Sequence, residues 1–147
     1  MNGIRNEVDT MLDKIQYSIC KTQGELYEWA ADKGLKFPDF SDLYMNSDFC
    51  RRSMDTIYSR FQLREPEEHI DFLVMEIPTL LQQKYSNEYF SGDVAFWIGF
   101  TYRQLWFETG MTSKEIVEKY PFDRMLACYP GLHTLDEDMA VDILLGR

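Results

Sequence analysis

One arginine–histidine pair is spaced in a way that could serve catalysis. Arg64 and His69 form an Arg-x4-His pattern at the start of a predicted helix. In such an arrangement a histidine can exchange a proton with a ribose 2′-hydroxyl while an arginine steadies the neighbouring phosphate. The intervening segment carries Glu67 and Glu68, whose charges would repel an approaching phosphate.

The pattern is similar to the Arg–His motif that all-α ribonucleases of the HEPN type carry at a helix start. What this resemblance implies is an RNA-cleaving enzyme that uses Arg64 and His69, and this is the alternative function. An enzyme of that kind should lose RNA cleavage in His69→Ala while keeping its fold. A pure binding protein should show no cleavage at all.

A second candidate pair consists of Cys128 and His133, which lie five residues apart across Pro130 and Gly131. A turn at this place could bring thiol and imidazole together. Nucleophilic catalysis also needs an activated thiolate and a group that orients the base. The sequence offers no third member, and the apolar neighbours favour a packing role.

The cysteines point to no metal or redox site. Cys20, Cys50 and Cys128 are widely spaced, and the sequence contains no CxxC pair. Zinc knuckles and thioredoxin-type sites both need such close pairs. We therefore expect three unbridged thiols in a reducing compartment.

Carboxylates form two groups near predicted helix starts, where the helix dipole favours negative charge. Neither group has the Glu-x-x-His spacing of bundle metal sites or the spacing of an EF-hand loop, so no metal and no cofactor is predicted. A solvated face is the plainest interpretation, and a contact surface for a basic partner is the functional one. The groups are Glu65, Glu67, Glu68 and Asp71, and Asp136, Glu137, Asp138 and Asp142.

Length and composition predict one folded domain over residues 1–147. The chain carries a net charge of −10 and is 45% apolar and 15% aromatic, which excludes a disordered acidic tail. Its negative charge disfavours direct nucleic-acid binding, since phosphate neutralisation supplies most of that affinity. The longest apolar run, 94–98, is too short to span a membrane, and the first residues do not read as a secretory signal. A cytoplasmic location is expected.

Apolar residues recur at helical spacing throughout, and no stretch alternates as a strand does. This predicts an all-α, single-domain bundle of six to eight helices. Gly24 permits a break in the first helical run, and stops at Gly34 and Gly110 and capping boxes at Thr112 and Thr134 are expected. The predicted helical runs are Ile4 to Lys33, a short helix through Tyr44, Phe49 to Phe61, Pro66 to Pro78, about 92–109, Lys114–Lys119, Phe122–Tyr129 and a last helix through Leu145.

The segment about 92–109 is apolar nearly all round, which predicts a buried central helix. Tyr102, Arg103 and Trp106 lie on this helix, and their residue types are common among binding hot spots. They are candidates for partner contact if the helix has an exposed edge. Core packing is the alternative, and it is the favoured one.

Several stretches of the chain resemble small, uncharacterised helical proteins that are encoded in bacterial gene clusters, often beside toxin-like open reading frames. What this resemblance implies is an antitoxin-like or immunity-like role, in which the protein neutralises a partner by binding. The stretches that carry it are 39–50, 54–59, 91–103, 112–116 and 129–135.

The sequence is therefore interpreted as a non-catalytic interaction module. We expect Glu67, Glu68 and Asp71 to form an acidic helical face that covers a basic site on a protein partner encoded nearby. A homodimer whose acidic surface merely keeps it soluble is a further option. The mass of the protein in solution would test that option.

Overall fold

The computed structural model describes residues 12–37, 39–82 and 91–147. Over these ranges the chain forms eight α-helices and no β-strand, so the all-α prediction is confirmed. Two short 3-10 helices occupy Arg60–Leu63 and Leu80–Gln82. The α-helices are α1 (Lys14–Asp32), α2 (Asp39–Met45), α3 (Asp48–Ser53), α4 (Pro66–Glu76), α5 (Gly92–Thr109), α6 (Ser113–Lys119), α7 (Phe122–Leu132) and α8 (Glu137–Leu144).

Helix α5 is the central element, as predicted, and every residue from Ile98 to Leu105 is buried. It packs more extensively against α1 than any other pair of described helices does. Two glycines permit this close approach. A Cβ at Gly99 would lie 2.7 Å from the Gln23 carbonyl oxygen, and one at Gly24 would lie 2.9 Å from the Phe96 ring.

The helix boundaries follow local signals in most places. Gly34 adopts φ +73° and ends α1, and the N–H of Leu35 reaches back to the carbonyl of Ala30 at 3.0 Å, as in a Schellman motif. Gly110 ends α5 at the same φ of +73°. The capping box of Thr112 with Glu115 opens α6 as predicted.

Two predicted boundaries are wrong, and the break that Gly24 permits does not occur. Helix α1 runs through Gly24 without a break, because the close contact with α5 needs a glycine there. Helix α7 passes through Pro130 and ends at Leu132. The cap of α8 is Asp136 rather than Thr134, and its carboxylate accepts from the Met139 N–H at 2.9 Å.

The predicted helical run from Phe49 to Phe61 is also wrong. Helix α3 ends at Ser53, and Ile57 is 98% exposed in the loop that follows. The backbone leaves the helix here because Met54 and Asp55 turn inward to accept hydrogen bonds from Arg103. The apolar positions Ile4, Val8 and Met11 lie outside the described residues.

None of the described helices combines the length and the apolar character that crossing a membrane requires. Helix α5 is long and largely apolar, and its stretch from Ile98 to Leu105 lies in the protein interior. Its role is to hold α1, α6, α7 and α8 in place.

Candidate functional site

The polar side chain at the centre of the fold is Arg103 of α5, which is completely buried. Its Nη1 donates to a carboxylate oxygen of Asp55 at 2.7 Å and to the Met54 carbonyl at 3.3 Å. The same carboxylate accepts from the Ser113 N–H at 2.7 Å and from the Ser113 hydroxyl at 2.5 Å. A buried ion pair thus joins α5 to the first turn of α6.

Gln23 of α1 binds Arg103 from another side. Its side-chain oxygen accepts from Nε at 3.0 Å and from Nη2 at 2.8 Å. The Tyr44 hydroxyl donates to the same oxygen at 2.8 Å, and the Gln23 amide donates to the Gly99 carbonyl at 2.9 Å. Since Nη2 also donates to the Ser113 hydroxyl at 3.0 Å, every N–H of the guanidinium has an acceptor.

This arrangement, called the Arg103 network below, has a structural role. Burial alone would lower the pKa of Arg103, but the nearby Cys50, Tyr44 and Asp55 outweigh burial and raise the pKa. Burial also raises the pKa of the Cys50 thiol, although Arg103 opposes that shift. The arginine stays charged and the Cys50 thiol stays protonated. All guanidinium donors are used within the chain.

Tyr102 and Arg103 do not meet the condition for partner contact, which was an exposed edge of the central helix, because both side chains are completely buried, as the favoured core-packing interpretation predicts. The Tyr102 hydroxyl donates to the Tyr120 carbonyl at 2.6 Å. Trp106 is half-buried, and its ring lies 5.4 Å from the guanidinium carbon of Arg103. Of the three candidates on α5, only Trp106 keeps exposed surface, and it covers the Arg103 network.

Arg64 and His69 do not form a joint site on the surface. His69 is completely buried between the rings of Phe49 and Phe61, and its Nε2 lies 2.6 Å from the Phe61 carbonyl. Burial lowers its pKa, although the hydrogen bond to Phe61 opposes the shift. Arg64 is exposed and pairs with Glu68 at 3.8 Å. An imidazole in this position cannot reach a ribose hydroxyl.

Cys128 and His133 are also kept apart. Because α7 continues through Pro130, residues five apart point to different sides of one helix. The His133 ring stacks on Tyr129 with ring centroids 4.1 Å apart, and its Nδ1 lies 2.7 Å from the Tyr129 carbonyl. The three cysteines are free thiols.

The expected acidic face of α4 divides into two parts. Glu68 and Asp71 line a shallow depression together with Arg60 and Arg64, so these carboxylates have cations close by. Glu67 precedes Asp71 by one helical turn and does not line that depression. It belongs to a separate groove that contains no arginine and no lysine among its lining residues.

That groove, called the acidic groove below, has a volume of about 260 Å³ and lies between α1 and the start of α4. The half-buried ring of Trp29 lines it, together with Pro66. Within the described part of the chain, none of its carboxylates forms an ion pair. The acidic side chains that line it are Glu25, Glu28, Asp32, Glu65 and Glu67.

The carboxylates of the acidic groove repel one another. Partial burial raises the pKa of Glu28, and the charges of Asp32, Asp93 and Glu25 raise it further. A raised carboxyl pKa means that the folded protein holds this negative charge at a cost in stability. A cation placed in the groove would remove that cost.

Three members of the second acidic group have partners within the chain. Asp136 caps α8, Asp138 accepts from the Gln104 amide at 3.1 Å, and Asp142 pairs with Arg147 at 2.9 Å. Glu137 lies in the first turn of α8. In the ranges that the structure describes, no three His, Cys, Asp or Glu side chains are placed to hold a metal ion.

Sequence analysis missed the α1 side of the acidic groove. Glu25, Glu28, Trp29 and Asp32 follow the three- and four-residue spacing that places side chains on one helical face. This signal was present in the sequence. The apolar periodicity of the same helix indicates only its buried face.

No family model matches this chain, and neither a curated protein nor a solved structure was found to be similar to it.

Proposed function

We propose that the protein is a non-catalytic interaction module that binds a basic protein partner through the acidic groove. The observation that carries this proposal is the convergence of five carboxylates around Trp29 with no ion pair among the described residues. A protein surface of this kind attracts lysine and arginine side chains and repels acidic partners.

The proposed mechanism is electrostatic and steric. Basic side chains of the partner pair with Glu28, Asp32 and Glu67, and so offset the repulsion that Asp32 exerts on Glu28. Trp29, whose ring centroid lies 5.4 Å from the Lys33 ammonium, supplies apolar contact area and is the expected hot spot of the groove. Covering a basic surface in this way would block any activity that the partner performs there.

The sharpest form of the proposal is an antitoxin-like or immunity-like protein. Its support is the resemblance to small helical proteins encoded beside toxin-like genes. The partner would then be encoded nearby, and it would carry its basic surface at or beside its own active site.

The test is to co-express the tagged protein with its neighbouring genes and to identify co-purifying chains by mass spectrometry. We expect one basic chain at a stoichiometric amount. A double variant, Glu28→Gln with Glu67→Gln, should bind that chain at least about tenfold more weakly and capture correspondingly less of it, because two groove charges are lost.

The matched control is Glu118→Gln with Asp123→Asn, which removes two exposed negative charges on α6 and α7. This control should capture the partner as the wild type does. Equal loss in both variants would mean that only net charge matters. Recovery of a single species without a partner would overturn the proposal.

A further inference from the structure

A second groove, lined mainly by aromatic rings, lies beside the acidic groove. It has a volume of about 280 Å³ and is formed by α5 together with α1, α7 and the chain that leads into α8. Its name below is the aromatic groove. The ring-bearing side chains that line it are Tyr17, Phe96, Trp97, Phe100, Tyr129 and His133.

These rings hold one another in fixed positions. Tyr17 meets Phe100 edge to face with ring centroids 5.2 Å apart, and Trp97 meets Tyr129 in the same manner at 5.7 Å. Tyr129 in turn stacks on His133 at 4.1 Å. Such a set presents π-faces and edges without the entropic cost of ordering them on binding.

Two carboxylates stand at the aromatic groove and no arginine or lysine does, among the described residues that line it. Asp93 lies in the first turn of α5 and Glu137 in the first turn of α8, and both are exposed. Aromatic faces combined with carboxylates attract organic cations, because the ring quadrupole and the negative charge act together.

A carboxylate of the aromatic groove interacts electrostatically with one of the acidic groove. Asp93 lines the first, and its charge also raises the pKa of Glu28 in the second. Between them lies Gly92, where a Cβ would be 2.9 Å from the Glu28 side chain. A basic partner segment seated in the acidic groove would therefore extend towards the rings.

We propose that the aromatic groove binds the guanidinium group of an arginine side chain of the basic partner, between the aromatic rings and the carboxylates of Asp93 and Glu137. This inference rests on the proposed function, and names the residue type by which the partner is recognised. A planar guanidinium suits the groove better than an ammonium group, since it stacks on rings and bonds to carboxylates in the same plane. The volume fits one side chain rather than a larger ligand.

The test uses the indole N–H resonances of the three tryptophans in a ¹⁵N-labelled sample. The probe is n-butylguanidinium, and n-butylurea is its uncharged isostere. We expect the Trp97 resonance to move saturably with a dissociation constant of about 1–10 mM. The urea should bind about tenfold more weakly or not at all.

Two variants sharpen this experiment. Asp93→Asn should weaken guanidinium binding at Trp97 several-fold, whereas Asp123→Asn, an exposed acid outside the groove, should leave it unchanged. The Trp106 resonance should not move in either protein, because its ring covers the Arg103 network. An unmoved Trp97 signal, or equal binding of guanidinium and urea, would overturn the inference.

Capture of the partner separates this inference from the proposed function. Tyr129→Leu should reduce capture of the partner chain while preserving the fold, which the dispersion of the same spectrum reports. Normal capture by Tyr129→Leu would overturn the arginine site and leave the acidic groove intact. Loss of capture in Glu28→Gln with Glu67→Gln would still support the proposed function on its own.

Discussion

Both the Arg103 network and the acidic groove contain carboxylates, but only the carboxylate of the network is paired with a cation among the described residues. In the network, one arginine is surrounded by a carboxylate, an amide and hydroxyls, and every guanidinium donor has an acceptor. In the acidic groove, carboxylates gather around Trp29 with no described ion pair. The charges of the first region are paired within the chain, whereas the carboxylates of the second form no ion pair among the described residues.

This difference separates stability from binding. Buried charges that are fully paired fix the mutual positions of helices, and removing one partner leaves the other uncompensated. Exposed like charges do the reverse, since they lower stability slightly and raise the affinity for an opposite charge. Mutations in the Arg103 network should therefore lower the free energy of unfolding. Mutations in the acidic groove should weaken partner binding and raise the free energy of unfolding slightly.

The largest effect is expected from Arg103→Met, which leaves Asp55 buried without its cation. We expect the free energy of unfolding in urea to fall by about 3–5 kcal/mol. Arg64→Met is the control, because it breaks only the exposed pair with Glu68 and should cost less than about 1 kcal/mol. Similar losses in the two variants would remove the distinction between buried and exposed pairs.

The next effect tests the helix contact that supports the network. Gly99→Ala places a Cβ 2.7 Å from the Gln23 carbonyl oxygen, and should lower the free energy of unfolding by about 1–3 kcal/mol. Gly131→Ala is the control, since nothing lies within 4 Å of the added atom. It should leave stability unchanged or raise it by up to about 1 kcal/mol. A harmless Gly99→Ala would show that α1 and α5 can move apart freely.

A third effect appears on acidification. Because the pKa of His69 is lowered in the folded protein, the unfolded chain takes up this proton first. The contribution of neutral His69 to the free energy of unfolding is therefore complete above the ordinary histidine pKa of about 6.5. It is lost as the pH falls below that value, by at most about 1.4 kcal/mol per pH unit. His69→Gln should show a shallower decline between pH 7 and 5. A decline in His69→Gln as steep as that of the wild type would contradict this assignment.

The smallest effect has the opposite sign and belongs to the acidic groove. The pKa of Glu28 is raised in the folded state, so stability is greatest below the ordinary carboxyl pKa and falls as the pH rises through the folded value. At pH 7 Glu28→Gln should be more stable than the wild type by a few tenths of a kcal/mol. The gain should vanish near pH 3 and in about 1 M salt. A loss of stability at pH 7 would show that Glu28 has a cationic partner within the chain.

Local signals in the sequence predicted much of the fold. The apolar character of the segment about 92–109 predicted the central helix. Gly34, Gly110 and the Thr112 capping box predicted helix ends because each of these signals involves only residues that are close in sequence. The end of α3 could not be predicted in this way. Asp55 leaves the helical pattern for hydrogen bonds to Arg103 and Ser113, which are distant in sequence.

The candidate site was predicted in part. Glu67 is in the acidic groove, but its α1 side was missed, and Tyr102 and Arg103 are interior. Residue type alone could not separate these cases, since an arginine on a helix serves equally well as a hot spot or as the centre of a buried network. The deciding quantity is the number of hydrogen-bond acceptors that the fold brings to the arginine, and here the oxygen acceptors come from three segments, namely α1, the loop after α3, and α6.

The most direct test of the central claim is the rate of association with the co-purified basic chain, measured by stopped flow at increasing ionic strength. For the wild type we predict a fall of about tenfold or more between roughly 50 and 300 mM salt. Glu28→Gln with Glu67→Gln should associate more slowly and with a weaker salt dependence, and Glu118→Gln with Asp123→Asn should match the wild type. Equal rates and equal salt dependence in all three proteins would contradict binding through the acidic groove.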